Sequence, residues 1–393
     1  MRFDKLRVLI GLLIIICLLA VPVLAVNKQP DAEITLDPAN NKGGKFRLAY
    51  CETEPFTNYA GTFYALVIGL EKLGWINNTE GLEYVKGQDD TRVMWNWLAT
   101  HEISPYLEFV GDAHFTLSLM EGEQPEDAVI KRLQNQDIDL VIGMGTRAGK
   151  ALANDLHQVP AAVFSTSNAV RSDIIKADND SGNKHIWAHM DSRLYQRQMT
   201  VFHDIFQFKK MGMIYEDSSL GRIYAAVDDA QKVAAEEGFK VVSYPIKEPA
   251  NDEDRERYYA DLMQIHQKLA REVDAMYLTM APIESSRLPE LLAPFYDRKI
   301  PVFSQLGTEE VMSGALISVA RADFSGIGLF GAETIVCLLK GQSARELPQV
   351  FENVPHIALN LEIARKIGFK PPFEILLVAD EIFQRVDTTQ ISN

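Results

Sequence analysis

From Lys45 onward, short apolar runs alternate with longer amphipathic stretches, and no other feature of the chain constrains its fold as strongly. The strand candidates are Phe46–Cys51, Tyr106–Val110, Leu140–Gly143, Ala161–Phe164, Met211–Tyr215, Lys240–Tyr244, Ala275–Thr279, Val302–Ser304 and Ala315–Val319. Between them the spacing predicts helices over Gly61–Leu73, Pro125–Gln136, Arg147–Leu156, Leu194–Phe206, Gly221–Glu237, Asp252–Glu272 and Ser285–Asp297. Strand and helix in turn imply parallel sheets with helices on both faces, because a parallel neighbour is reached only by a crossover. Strands covered on both sides read as continuous apolar runs, as Asp139-Leu-Val-Ile-Gly143 and Met211-Gly-Met-Ile-Tyr215 do. The fold class is α/β.

Nine such strands exceed one core of this kind, so two Rossmann-like lobes are expected. The polar gap from Ser165 to Lys184, with Asp178, Asn179, Asp180, Ser181, Gly182 and Asn183, is the natural break between them. The segment from Trp75 to Pro105 is additional to this alternation, with a helix near Asp89–His101 whose Trp95 and Trp97 read as packing residues. Ahead of the first strand, Arg2, Lys5 and Arg7 precede an uncharged run from Val8 to Val26. That is the layout of a secretory signal over residues 1–25, cut after Ala25, or of an uncleaved anchor. Either way the remaining chain lies outside the cytoplasmic membrane, in the periplasm. Cys17 lacks the small residues of a lipid-attachment signal, and residues 26–44 read as a flexible leader. Cys51 and Cys337 are read as two free or buried thiols.

Lys and Arg number 39 against 54 Asp and Glu, a net charge of −15 that repels phosphate backbones and argues against a nucleic-acid partner. Gly143-Met-Gly145-Thr-Arg-Ala-Gly149-Lys150 follows a strand and opens a helix, yet it satisfies neither the dinucleotide fingerprint nor the P-loop. It suits a small anion such as a carboxylate, with Thr146 as cap and Arg147 nearby, or it is a plain strand-to-helix turn. His185 and His189 stand at metal-ligand spacing but have no third ligand and read as a surface pair. There is no nucleophile elbow, and no catalytic residue, metal site or cofactor is expected. In open parallel sheets, ligands bind beyond the carboxyl ends of the strands. Those ends carry Cys51–Phe56, Gly145–Arg147, Ser165–Asn168, Tyr215–Ser218, Thr279–Ile283 and Ser304–Gly307, a set suited to a small-molecule cleft.

A run of soft motifs in fixed order carries a resemblance. It includes Asp139-Leu-Val-Ile-Gly-Met-Gly-Thr-Arg-Ala148, Val159-Pro-Ala-Ala-Val-Phe164, Lys210-Met-Gly-Met-Ile-Tyr215, Val273-Asp-Ala-Met-Tyr-Leu278, Lys299-Ile-Pro-Val-Phe303, Gly314-Ala-Leu-Ile-Ser318 and Leu359-Asn-Leu-Glu-Ile-Ala-Arg-Lys-Ile-Gly368. From about Phe46 to the C-terminus, excluding Trp75–Pro105, the chain resembles the substrate-binding proteins of bacterial ABC transporters. Specifically, it resembles the family whose better-known members take up tryptophan, tyrosine and phenylalanine and which have the type I periplasmic-binding-protein fold. The resemblance implies two hinged lobes, with crossings near Ser167, Arg321 and Pro348. The first lobe would then hold residues 45–167 plus 322–346 and the second 168–321 plus 347–393.

It also implies that Gly145, Thr146 and Ala148 hold a ligand carboxylate. Where family members place Asp-Pro and Asp-Asn, this chain has Ser167-Asn168 and Ala281-Pro282. The counter-charge for a ligand amine then falls to Glu52, Glu54 or Glu216, or the ligand is a carboxylate without an amine. The expected function is a monomeric, exported solute receptor that delivers a small organic ligand to an ABC permease. Its expected ligand-binding residues are Glu52, Gly145, Thr146, Arg147, Ala148, Ser165, Thr166, Tyr215, Glu216, Thr279 and Gln305. A sensory receptor for a membrane partner and an extracytoplasmic enzyme on the same fold are the alternatives.

Overall fold

The alternation of the sequence resolves into two sheets. The computed structural model describes residues 35–388, apart from 86, 123, 250, 322, 323 and 353. The signal or anchor of residues 1–25, Cys17 and the start of the leader lie outside the described residues. The strands are β1 (Phe46–Glu52), β2 (Leu107–Thr116), β3 (Leu140–Met144), β4 (Ala161–Phe164), β5 (Ile186–Ala188), β6 (Lys210–Glu216), β7 (Lys240–Ile246), β8 (Ala275–Leu278), β9 (Val302–Ser304), β10 (Ile317–Arg321), β11 (Pro355–Asn360) and β12 (Glu381–Phe383). The first sheet runs β2-β1-β3-β4-β5 and the second β12-β11-β10-β9-β8-β6-β7. All pairs are parallel except β10 with β11. Strand order reverses beside β1 and β3 in the first sheet and beside β6 and β8 in the second, and those switch points are where such sheets open a crevice.

The helices are α1 (Thr57–Lys72), α2 (Thr91–Thr100), α3 (Pro125–Leu133), α4 (Thr146–Leu152), α5 (Leu194–Phe206), α6 (Ser219–Tyr224), α7 (Val227–Glu237), α8 (Arg255–Glu272), α9 (Leu288–Asp297), α10 (Thr308–Ser313), α11 (Ser325–Leu339), α12 (Leu361–Ile367) and α13 (Phe373–Val378). The single helix expected over Gly221–Glu237 is two, because Ala226 adopts φ +54° and breaks it. Each lobe has its own apolar core, and both faces of the first sheet are covered.

A division at residue 167 falls one strand early. β5 pairs in parallel with β4, so the first sheet continues to Ala188. Its three residues follow a long polar loop and are too short to announce a strand. The chain crosses after β5, where the Met190 amide donates to the Gln349 carbonyl at 2.7 Å and the Phe351 amide donates to the Met190 carbonyl at 3.0 Å. Two crossing segments therefore run side by side. The return near Arg321 brings α11 against α1 through glycine. A Cβ at Gly69 would fall 2.5 Å from the Gly328 carbonyl oxygen, and one at Gly328 would clash with the Ala65 backbone. Only hydrogen at both positions permits this approach.

Two further expectations change. The leader is docked from Leu36, whose carbonyl accepts the buried Trp75 indole N–H at 2.9 Å, and Asn41 Nδ2 donates to Asp139 at 3.0 Å. His185 and His189 are buried, not superficial, and each ring bonds a backbone carbonyl, of Asn154 at 3.1 Å and of Phe351 at 2.9 Å. Trp95 is fully buried against Tyr50, Phe63 and Phe109, as packing requires. Cys51 and Cys337 are free thiols. Among the described residues, no helix is long and apolar enough to cross a membrane.

Candidate functional site

The carboxyl ends of the two sheets meet across a cleft. On the first wall, Gly145 carries φ +88° to end β3 and start α4, and a Cβ there would strike the Tyr59 hydroxyl. Thr146 does not cap the helix. Its Oγ1 accepts the Ser167 amide at 3.2 Å, while the Ala148 amide donates to Thr53 Oγ1 at 3.3 Å. Arg147 is tied to Glu126 at 2.7 Å. Of the donors expected to seat an anion, the Ala148 amide and the Arg147 guanidinium are thus engaged within the protein. Ser165 stands at φ +54°, rare for a side chain with a Cβ, and its hydroxyl meets that of Thr62 at 3.2 Å. Beside it, the Thr166 hydroxyl oxygen is buried without a protein partner among the described residues.

Glu52 is not on this wall. Only 1% exposed, it accepts hydroxyls from Tyr50 at 3.0 Å, Thr91 at 2.9 Å and Thr116 at 2.8 Å. Burial pushes its carboxyl up to about 7 in spite of those three donors. Because Thr91 opens α2 and also meets His114 Nε2 at 2.8 Å, Glu52 clasps the additional helix onto β1 and β2. Burial pulls His114 down to about 4, so the ring is neutral near pH 7. Glu54 lines neither cavity but lies within electrostatic reach of Tyr224 and Glu248 on the second lobe. Burial raises its carboxyl, while Arg147 acts to lower it.

On the second wall, Ser218 caps α6 by accepting the Gly221 amide at 2.9 Å and also donates to Glu216. Gln305 is a fastener: its Oε1 accepts the Met280 amide at 3.0 Å and its Nε2 donates to the Tyr224 carbonyl at 2.7 Å. Its own carbonyl accepts Gln198 Nε2 at 3.2 Å, and Gln198 Oε1 takes the Tyr277 hydroxyl at 2.5 Å. Thr279 is buried and donates to the Ile214 carbonyl at 2.5 Å. Tyr224 lies within electrostatic reach of Glu54 across the cleft and of Glu216 and Glu248 on its own side.

A cavity of about 190 Å³ lies between the walls. The first lobe contributes Phe56, Thr57 and Asn58 at the start of α1, with Tyr84 and Gly87 from the additional segment. The second contributes Tyr195 and Gln198 of α5, the turn from Gln305 to Glu310, and His356, whose Nε2 lies 2.9 Å from Glu381. Of the residues expected from the sequence, Gln305 lines this cavity, whereas Tyr215, Glu216 and Thr279 line a smaller one beside it. Gly145, Thr146, Arg147, Ala148, Ser165, Thr166 and Glu52 line neither among the described residues. Sequence reasoning missed Asn58, Tyr84, Tyr195 and Gln198. For Gln198 a signal existed: an amide beside Met199 and three residues before Val201-Phe202, within the buried stripe of an amphipathic helix.

A family model of ABC transporter substrate binding proteins matches residues 118–383. A sequence search of curated proteins gives no match. Among solved structures, the ABC domain from Streptococcus pneumonia in complex with L-Trp aligns with TM-score 0.62 and 18% identity, over 86% of this chain and 100% of that one. A conserved domain protein from Vibrio cholerae aligns with TM-score 0.61 and 18% identity over 86% and 99%. The ligand-free, open structure of a substrate binding protein with adhesive properties from Clostridium difficile gives 0.61 and 17% over 86% and 100%. Those likenesses establish the two-lobed type I periplasmic-binding-protein fold. The chain belongs to the ABC transporter substrate-binding protein family.

Proposed function

We propose that this chain is an exported receptor that captures a small organic solute in the interlobe cavity and delivers it to an ABC permease. The observation that carries this reading is the cavity of about 190 Å³ walled by both lobes in a member of this family. A ligand bridging two walls favours the closed arrangement, and closure is what a partner can recognise. An apolar cavity of about 150 Å³ accommodates benzene, so the space fits roughly one substituted ring. Phe56, Tyr84 and Tyr195 offer aromatic surface, and Asn58 and Thr308 offer hydrogen bonds. An aromatic amino acid or a carboxylate-bearing solute meets those terms, and the L-Trp held by the pneumococcal relative supports the former. The basic and apolar N-terminal segment supports export.

Carboxylate capture by the Ala148 amide would have to displace Thr53 Oγ1, and the β3–α4 turn lines neither cavity among the described residues. We therefore assign the polar end of the ligand to Asn58 and its neighbours. Once a solute that raises the melting temperature is found, Asn58→Ala is expected to weaken its binding about tenfold or more, a loss of about 1.4 kcal/mol. Thr146→Val with Arg147→Ala is expected to leave affinity within about twofold. The opposite pattern by calorimetry would move the ligand to the β3–α4 turn and overturn this placement.

A further inference from the structure

The switch point of the second sheet holds a second cavity, of about 10 Å³, among the ends of β6, β7 and β8 and the first turns of α8. That is room for one water molecule or one ammonium group. Tyr215, Glu216, Glu248, Tyr258, His266 and Thr279 line it. Tyr258 is 3% and His266 1% exposed, and the Tyr258 hydroxyl and His266 Nε2 have no protein partner among the described residues. His266 Nδ1 lies 2.8 Å from the Leu291 carbonyl, which can only accept. The proton is therefore on Nδ1, and Nε2 presents a lone pair. Burial pulls the ring down to about 4, so it stays neutral near pH 7. The Thr279 hydroxyl is committed to the Ile214 carbonyl.

What faces the cavity is an imidazole lone pair, a phenol hydroxyl that can donate or accept, and the carboxylates of Glu216, which already takes the Ser218 hydroxyl, and Glu248. Two buried polar atoms left unpartnered side by side, His266 Nε2 and the Tyr258 hydroxyl, are rare in folded proteins. The nearby cations Arg147 and Arg222 are paired, with Glu126 at 2.7 Å and Asp228 at 3.3 Å. Glu54 of the first lobe is in electrostatic reach of Glu248, so a positive charge placed here attracts both lobes. Gln305, which lines the larger cavity, holds the amide of Met280, which lines the smaller, so the two spaces are neighbours.

We propose that this pocket receives the protonated amine of the ligand through His266, Tyr258, Glu216 and Glu248, so that the solute is an organic amine and needs no carboxylate. The inference rests on the receptor reading above. The test follows the His266 Nε2 resonance in the ¹⁵N-labelled full chain during titration with methylammonium chloride, 2-phenylethylamine hydrochloride, ammonium chloride, sodium chloride and sodium acetate. A saturable shift with the two organic amines, absent with the sodium salts, is expected. Glu248→Gln at the exposed mouth and Tyr258→Phe inside should each weaken it about tenfold or more. Tighter binding of phenylethylamine than of ammonium identifies the organic solute as the source of the charge. A shift with ammonium alone, an unmoved resonance, which means a buried water only, or an equal response to sodium would overturn the proposal. A carboxylate without an amine that stabilises the chain through Asn58 would also overturn it, yet leave the receptor standing. A His266 response to amines, with no solute bound through Asn58, would do the reverse.

Discussion

Glu52 takes three hydroxyl hydrogen bonds and is still raised to about 7, because loss of hydration outweighs them. A carboxyl that binds its proton more tightly when folded than its ordinary 4.5 contributes stability fully below that value and loses it as pH rises through about 7. Glu310, half-buried and bonded by Ser304 Oγ at 2.6 Å, is also raised to about 7 by loss of hydration and adds to the same window. Glu52→Gln, which stays neutral, is therefore expected to gain on the wild type between pH 5 and pH 8, by on the order of 2 kcal/mol in urea unfolding. A difference that does not change with pH would mean that Glu52 ionises as an ordinary surface carboxylate. Gln198 carries a second residue-scale prediction. Gln198→Leu strands the fully buried Tyr277 hydroxyl and frees the Gln305 carbonyl, at a cost of about 1–3 kcal/mol. Unchanged stability would show that the chain from Tyr277 to Gln305 is not what fixes α5 on the second lobe.

The elements that build the cleft depend on close backbone contact as much as on apolar patterning. Gly328→Ala places a methyl against the Ala65 backbone where α11 crosses α1, and overpacking of this kind costs about 1–3 kcal/mol. A lowered melting temperature is expected, and an unchanged one would show that α1 and α11 can separate freely. Much of this level was legible beforehand: the bounds of β4, β9 and α5 are those the periodicity predicts. What escaped were β5, β11 and β12. β5 and β12 have three residues each, and β11 opens on Pro355 and runs antiparallel, outside the alternation that identifies the others. The site was half legible for a similar reason. Strand ends follow from topology, which is why Gln305, Tyr215, Glu216 and Thr279 could be named. Tyr84, Tyr195 and Gln198 reach the cleft only because the additional segment and α5 fold back beside the crossings, which is a non-local outcome. Glu52 failed in the opposite sense, since a carboxylate at a strand end looks identical in sequence whether it faces a ligand or three hydroxyls.

Across the whole molecule, two α/β lobes are joined by paired crossings at Met190 and Gln349–Phe351 and a return near Arg321. Such connections let the lobes move about a hinge while each core stays intact. Gln305, Tyr84 and Asn58 belong to one wall set drawn from both lobes. A ligand that binds only the assembled set raises stability by RT ln(1 + [L]/Kd), about 2.7 kcal/mol at a hundred times Kd. The melting temperature of the purified chain against amino acids, aromatic amines, aromatic acids, dicarboxylates, nucleobases and vitamins tests this most directly. One chemical class is expected to raise it in proportion to the logarithm of concentration, and Asn58→Ala is expected to abolish most of that rise. No rise with any of these solutes, or a rise that Asn58→Ala leaves intact, would contradict a receptor whose ligand sits between the lobes.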